Sequence, residues 1–260
     1  MIQTHAEKTD ESPSPYFVRK RLLSGLIALS ILMTLASVAL PLIGNWQRRE
    51  SLRNFSKPLE PLGAKAWLGS QGFGVTAQNP KTVTDETFDK WMPFLQDDRV
   101  VSLKLRGSSI SDNSVNEMKE IPSLTAVDIS NTAVTHEGVM SLQNCPKLYY
   151  LCVESSVLNE QAIDALRQCE NLRRLVCRGP SVSDVTIENV GSIESLRHVE
   201  FADEAPSDVA LSQMRRMNPD LDIVTQDGTY YLDESEEING IRDDQKETQL
   251  RSDDSAPHAE

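Results

Sequence analysis

The chain has 260 residues, a quarter of them charged, with a formal net charge of −13 and a pI near 4.8. A general nucleic-acid binder needs a basic face to offset phosphate charge, so this balance argues against one. The excess is uneven: residues 227–260 hold 11 acidic and 3 basic side chains, a net of −8.

Residues 1–21 form a polar leader, flexible or cytoplasmic, with Ser12-Pro13-Ser14-Pro15 near its middle and Arg19-Lys20-Arg21 at its end. Residues 22–44 follow without one formal charge, apolar and long enough to span a hydrocarbon core about 30 Å thick as a transmembrane helix. Trp46 sits just beyond, where an indole suits the lipid–water boundary. A cleaved signal peptide, with Ser37-Val38-Ala39 as the small-residue site, and a buried core helix are the alternatives. Basic residues flank both sides (Lys8, Arg19, Lys20 and Arg21 against Arg48, Arg49, Arg53 and Lys57). The compact triplet tips the reading toward an N-inside, single-pass membrane protein with its remaining domain on the non-cytoplasmic side. Residues 45–65, with Pro58 and Pro61, read as a juxtamembrane linker.

Residues 66–99 are expected to cap a repeat array that begins at residue 100. Gly72–Thr76 supplies a degenerate first strand, and Trp91, Phe94 and Leu95 cover an open edge. From residue 100 to 226 the chain repeats. Val100, Leu124, Leu148, Leu172, Leu196 and Leu221 are separated by intervals of 24, 24, 24, 24 and 25 residues. The same alignment sets Leu103, Val127, Leu151, Leu175, Val199 and Val224 in one column, and Leu105, Ile129, Val153, Cys177 and Phe201 in another. After each L-x-x-L-x-L stretch comes an apolar residue, then a Ser, Thr or Asn suited to helix capping, as in Val134-Thr135 and Leu158-Asn159. Apolar pairs at helical spacing come next, such as Ile163/Leu166 and Ile187/Val190. One such unit cannot enclose its own apolar face, so neighbouring units must cover it.

This pattern, over roughly residues 72–224, resembles the leucine-rich-repeat family, specifically its ribonuclease-inhibitor-like, cysteine-containing subtype. It also resembles a bacterial arrangement in which one membrane anchor precedes a short repeat array. The resemblance implies an α/β solenoid with a parallel concave sheet and short convex helices, and a function in binding a protein or peptide. It further implies that Cys145 and Cys169, one repeat apart before successive strands, are small buried groups. A disulfide between them is open if the domain is exported. Cys177 takes a core slot. His136 stands where the family's turn usually carries Asp, and reads as a helix-start residue. Residues 227–260, acidic and without apolar periodicity, read as a disordered tail.

With the leucines inward, the intervening residues face the concave surface. Tyr149, Tyr150, Arg173, Arg174, Arg178, Arg197 and His198 are the candidate partner-binding residues, because Tyr and Arg are favoured at binding hot spots. Cys152 and Val176 are placed outward beside them. The plain alternative is a solvated strand surface with Arg stacked on Tyr; another is the acidic tail folded back onto the stripe.

Chemistry is poorly represented. The four cysteines form no C-x-x-C pair and the four histidines do not cluster with them, so no metal site is expected. Gly69-Ser70-Gln71-Gly72-Phe73-Gly74 lacks the Lys-Ser/Thr of a phosphate loop, no G-x-S-x-G elbow occurs, and no cofactor is expected. Asp85/Glu86 and Asp97/Asp98 read as helix-end charges. The expectation is a membrane-anchored interaction module rather than an enzyme; a structural spacer of the cell envelope is the alternative. A remote third reading, an enzyme with its site in 58–96, meets a segment without His or Cys.

Overall fold

A computed structural model describes residues 33, 37, 41–180 and 183–226. The predicted transmembrane segment 22–44 falls mostly outside the described residues, and the leader and the acidic tail fall wholly outside them. Among the described residues no helix is long and apolar enough to cross a membrane.

The chain divides into two compact units, Met1–Asn54 and Phe55–Glu260. In the first, residues 41–54 belong to helix α1, which ends at 56, and Arg53 pairs with Glu50 at 3.7 Å. The second unit holds everything else.

Residues 45–65 are not the linker that their prolines indicate. The helix runs to 56, a single turn covers Glu60–Leu62, and strand β1 starts at Ala64. Core packing claims this stretch: Leu59 is fully buried, and Phe55 stacks on Phe73 with ring centroids 4.9 Å apart. Pro61 shapes the start of the turn, a use of its fixed φ that needs no linker.

Eight strands form one sheet in chain order: β1 (Ala64–Leu68), β2 (Phe73–Ala77), β3 (Val100–Lys104), β4 (Ala126–Asp128), β5 (Tyr150–Glu154), β6 (Arg174–Arg178), β7 (His198–Phe201) and β8 (Asp222–Thr225). β1 and β2 pair antiparallel as a hairpin, and every later neighbour pairs parallel. The helices α2 (Asp85–Leu95), α3 (Asp112–Glu117), α4 (His136–Ser141), α5 (Glu160–Arg167), α6 (Asp184–Gly191) and α7 (Asp208–Met217) each lead from one strand to the next. Strand, turn, helix, strand is thus the α/β solenoid that a leucine-rich repeat implies.

The predicted column is real. Leu103, Val127, Leu151, Leu175 and Val199 are successive Cα partners, and all are fully buried. Its last member is Ile223 rather than Val224: Val199 pairs with Ile223, while Val224 lies beside Glu200 on the opposite face. Ile223 keeps the 24-residue step that Leu221 breaks. The last coil has one residue fewer between its two leading apolar positions, so alignment on Leu221 slips by one. Because side chains alternate faces, a slip of one moves a residue from the core to the surface.

The start of the array also matches the expectation in part. β2 supplies the degenerate first strand. Trp91 and Leu95 are fully buried, whereas Phe94 is half-buried. Trp91 Nε1 donates to the Leu62 carbonyl at 2.9 Å, tying α2 to the turn before β1. The antiparallel β1 was not foreseen; it covers the edge that β2 would otherwise expose.

Polar side chains lock adjacent coils at the helix starts. Asp85 accepts from the Ser111 amide (2.8 Å), from Ser111 Oγ and from Ser114 Oγ (both 2.5 Å) in the next coil. Asp112 repeats this one coil on, accepting from the Thr135 amide and Oγ1, both at 2.7 Å. A Cβ on Gly138 would lie 2.3 Å from Asp112 Oδ1, so glycine makes room for the carboxylate. His136 occupies the next rung and has no carboxylate to offer. It opens α4, as expected, behind the Thr135 cap.

Candidate functional site

One face of the sheet packs against the helices and the other is open. Two rows of alternate residues line the open face. The first runs Trp67, Gly74, Ser102, Ala126, Tyr150, Arg174, His198, Asp222 from β1 to β8. The second runs Lys65, Thr76, Lys104, Asp128, Cys152, Val176, Glu200, Val224.

The predicted contact residues separate into three groups. Arg174, Tyr150 and Glu200 form a compact cluster: the Arg174 guanidinium lies 5.9 Å from the Tyr150 ring centroid, and its Nη2 donates to Glu200 at 3.3 Å. Burial pushes the Tyr150 hydroxyl up to about 12, so it stays a neutral donor at physiological pH. Tyr149 is 53% exposed on the strand's leading edge. His198 Nδ1 donates to Asp222 Oδ2 at 2.7 Å, and Arg178 approaches Asp203 at 3.9 Å.

Arg173 and Arg197 play a structural part. Arg173 Nη1 donates to the carbonyls of Glu170 (2.6 Å) and, in the next coil, Ser195 (3.1 Å). Arg197 Nη1 donates to those of Glu194 and Leu196 at 2.8 and 2.7 Å. Both satisfy turn carbonyls that lack partners within the backbone ladder. Sequence position cannot separate them from Arg174, one residue on.

Cys152 and Val176, placed outward by alternation, do lie in an open-face row yet are buried. Ser130 and Arg178 lie beside the Cys152 thiol and partly offset the effect of its burial. Burial first, then Asp128, pushes the Cys152 thiol up to about 11. Burial does the same for Cys145, to about 12, and Cys169, to about 11. All four cysteines are buried free thiols; Cys169 Sγ faces the Leu142 and Ala165 carbonyls. A thiol held protonated by burial is a poor nucleophile and metal ligand.

Periodicity also turns Ser102, Lys104 and Ala126 outward onto this face, but it gives no place on it to Trp67. The Trp67 ring lies across β2 so closely that a Cβ on Gly74 would fall 2.0 Å from it. Lys104 Nζ sits 4.9 Å from the same ring's centroid. Ser102 and Ala126 are the small floor between this stack and the Tyr150–Arg174 stack. The backbones of β1 and β5 stand about 19 Å apart across the sheet at the usual strand spacing. The signal was available: Gly74 beside a hairpin aromatic marks a close approach.

No protein-family model matches the chain. No curated protein matches it either. Among solved structures, an internalin C2 from Listeria monocytogenes str. 4b F2365 is similar over 58% of this chain and 80% of its own, at 14% identity and a TM-score of 0.34. So loose an overlap adds nothing to the repeat register, which stands on the strand pairs themselves.

Catalytic geometry is sparse on this face. His198 is oriented by Asp222 as a base would be, but its Nε2 has no hydrogen-bond partner among the described residues. No group of three or more His, Cys, Asp or Glu is gathered there in a metal-binding arrangement. A cavity of about 10 Å³ lined by Ile129, Val134, Val153 and Glu154 holds at most a single water.

Proposed function

We propose that the repeat array is a protein-interaction module that receives a partner protein or peptide on the open sheet face. One observation carries this reading. Two aromatic–cation stacks, Trp67–Lys104 and Tyr150–Arg174, bracket a floor of small side chains on one exposed sheet face. Rigid aromatics offer large contact area at low entropic cost, and small residues between them leave room for an inserted side chain. The ribonuclease-inhibitor-like subtype, a membrane anchor at 22–44 and a non-cytoplasmic position belong to the same proposal and rest on sequence alone.

The test is a photoreactive amino acid placed at Tyr149 or Ser102 in the full chain within cells, with Asp164 on the helix side as comparison. The same adduct from both face positions, absent from 164 and weakened by Tyr150→Ala/Arg174→Glu, supports the module. Face positions that give no adduct above the 164 background overturn it. They favour the spacer reading, which the matched pairs Arg178–Asp203 and His198–Asp222 also support.

A further inference from the structure

The basic side chains of the open face are not equivalent. In the C-terminal half, Arg174, Arg178 and His198 each have an acidic partner. At the N-terminal end, Lys65, Lys104 and Arg106 are exposed and have no ion pair among the described residues. Lys65 and Lys104 share a row, with Thr76 between them, and Arg106 comes two residues after Lys104. The nearest carboxylate in that row, Asp128, accepts instead from the Ser130 amide and hydroxyl. Three cations beside a half-buried indole, with no ion pair among the described residues, form a seat for an acidic extended segment.

We propose that this seat is occupied by the chain's own C-terminal tail, through Asp233-Glu234-Ser235-Glu236-Glu237. Charge complementarity supports this first: the run carries four acids in five residues, within a tail of net −8. Reach supports it second. The last described residue, Gln226, directly follows β8 at the far edge of the sheet. At the usual strand spacing, β3 lies about 24 Å and β1 about 34 Å from β8. Residues 233–237, seven to eleven positions beyond 226, extend to about 23–40 Å. An outstretched tail crossing the open face therefore brings the acidic run over Lys104, Arg106 and Lys65. Tethering supports it third: a covalently linked segment competes at an effective concentration in the millimolar range, above that of a separate acidic peptide. This goes beyond the interaction reading and stands without it.

Zero-length carbodiimide crosslinking of the full chain tests the contact, since it joins only a carboxylate and an amine in direct contact. The expected result is Lys65 and Lys104 linked to residues 233–237, at a yield independent of protein concentration and lost in 1 M salt, where screening acts within about 3 Å. Lys65→Glu/Lys104→Glu/Arg106→Glu, all at exposed positions, abolishes the links. Adding Asp233→Lys/Glu234→Lys/Glu236→Lys/Glu237→Lys restores them in the reverse sense. Absence of these links in the wild type, or absence of the reversed links in the combined variant, overturns the proposal. Links formed only between isotopically distinct copies overturn it in favour of a second chain. Failure of the partner reading leaves all these links in place, so the two outcomes are separable.

Discussion

The two ends of the open face carry similar residue types and put them to opposite uses. At the C-terminal end, Arg174, Arg178 and His198 meet Glu200, Asp203 and Asp222, while Arg173 and Arg197 close turn carbonyls. At the N-terminal end, Lys65, Lys104 and Arg106 meet no acid among the described residues, and Lys104 rests on an indole. A count of arginines points to the first region. A count of unspent charge points to the second. What a surface can offer a ligand is what its own neighbours have left over.

The difference can be broken most strongly at Gly74. Replacing it with Ala drives a methyl into the Trp67 ring, which must leave the sheet face. The expected cost is about 1–3 kcal/mol, the usual range for overpacking, with loss of the Lys104 stack and a red shift of indole fluorescence. An Ala variant as stable as wild type, with unchanged emission, would contradict the close approach.

A smaller, pH-dependent effect separates the rungs at the helix starts. Burial disfavours the Asp85 charge, but the Ser111 and Ser114 donors outweigh it and hold the carboxyl below its ordinary value of 3.8. A carboxyl depressed in the folded state binds fewer protons there than when unfolded. Its stabilisation is therefore complete above the unfolded value and is lost as pH falls through the folded one. Because the group is largely solvated, screening limits it to about 1 kcal/mol. Asp85→Asn is expected to lower the urea midpoint at pH 6 and to flatten its fall toward pH 3, whereas His136→Ala, in a rung without a carboxylate, leaves the acid limb intact.

The smallest expected effect concerns the matched end. A double-mutant cycle on Arg174 and Glu200, both partly exposed, should give a coupling of about 0.2–1 kcal/mol that fades with salt. The same cycle on Lys104 and its strand neighbour Asp128 should give a smaller coupling, because Asp128 is turned to Ser130 and no ion pair joins the two. Equal coupling at both ends would erase the contrast.

Much of the fold was readable in advance, because a 24-residue apolar period leaves stacking as its one means of burial. The caps Thr135 and Asn159 were likewise visible, since Oγ or Oδ1 before a helix has amides to satisfy. The candidate site was readable only by row. Alternation placed Tyr150, Arg174 and His198 on the open face correctly, but could not tell that Arg173 would turn to carbonyls or that Cys152 would be buried. Residues 45–65 misled through their prolines, since a proline that opens a turn and one that loosens a linker look alike in a string.

The sequence by itself determined the column Leu103–Val127–Leu151–Leu175–Val199, since hydrophobic burial depends on spacing and spacing is written along the chain. Only the tertiary structure decided that Ile223 closes it, that β1 turns back antiparallel, and which cations meet an acid among the described residues. Those outcomes depend on neighbours brought together across the sheet, where a hydrogen bond made or missed is settled by distances of about an ångström that no linear pattern encodes.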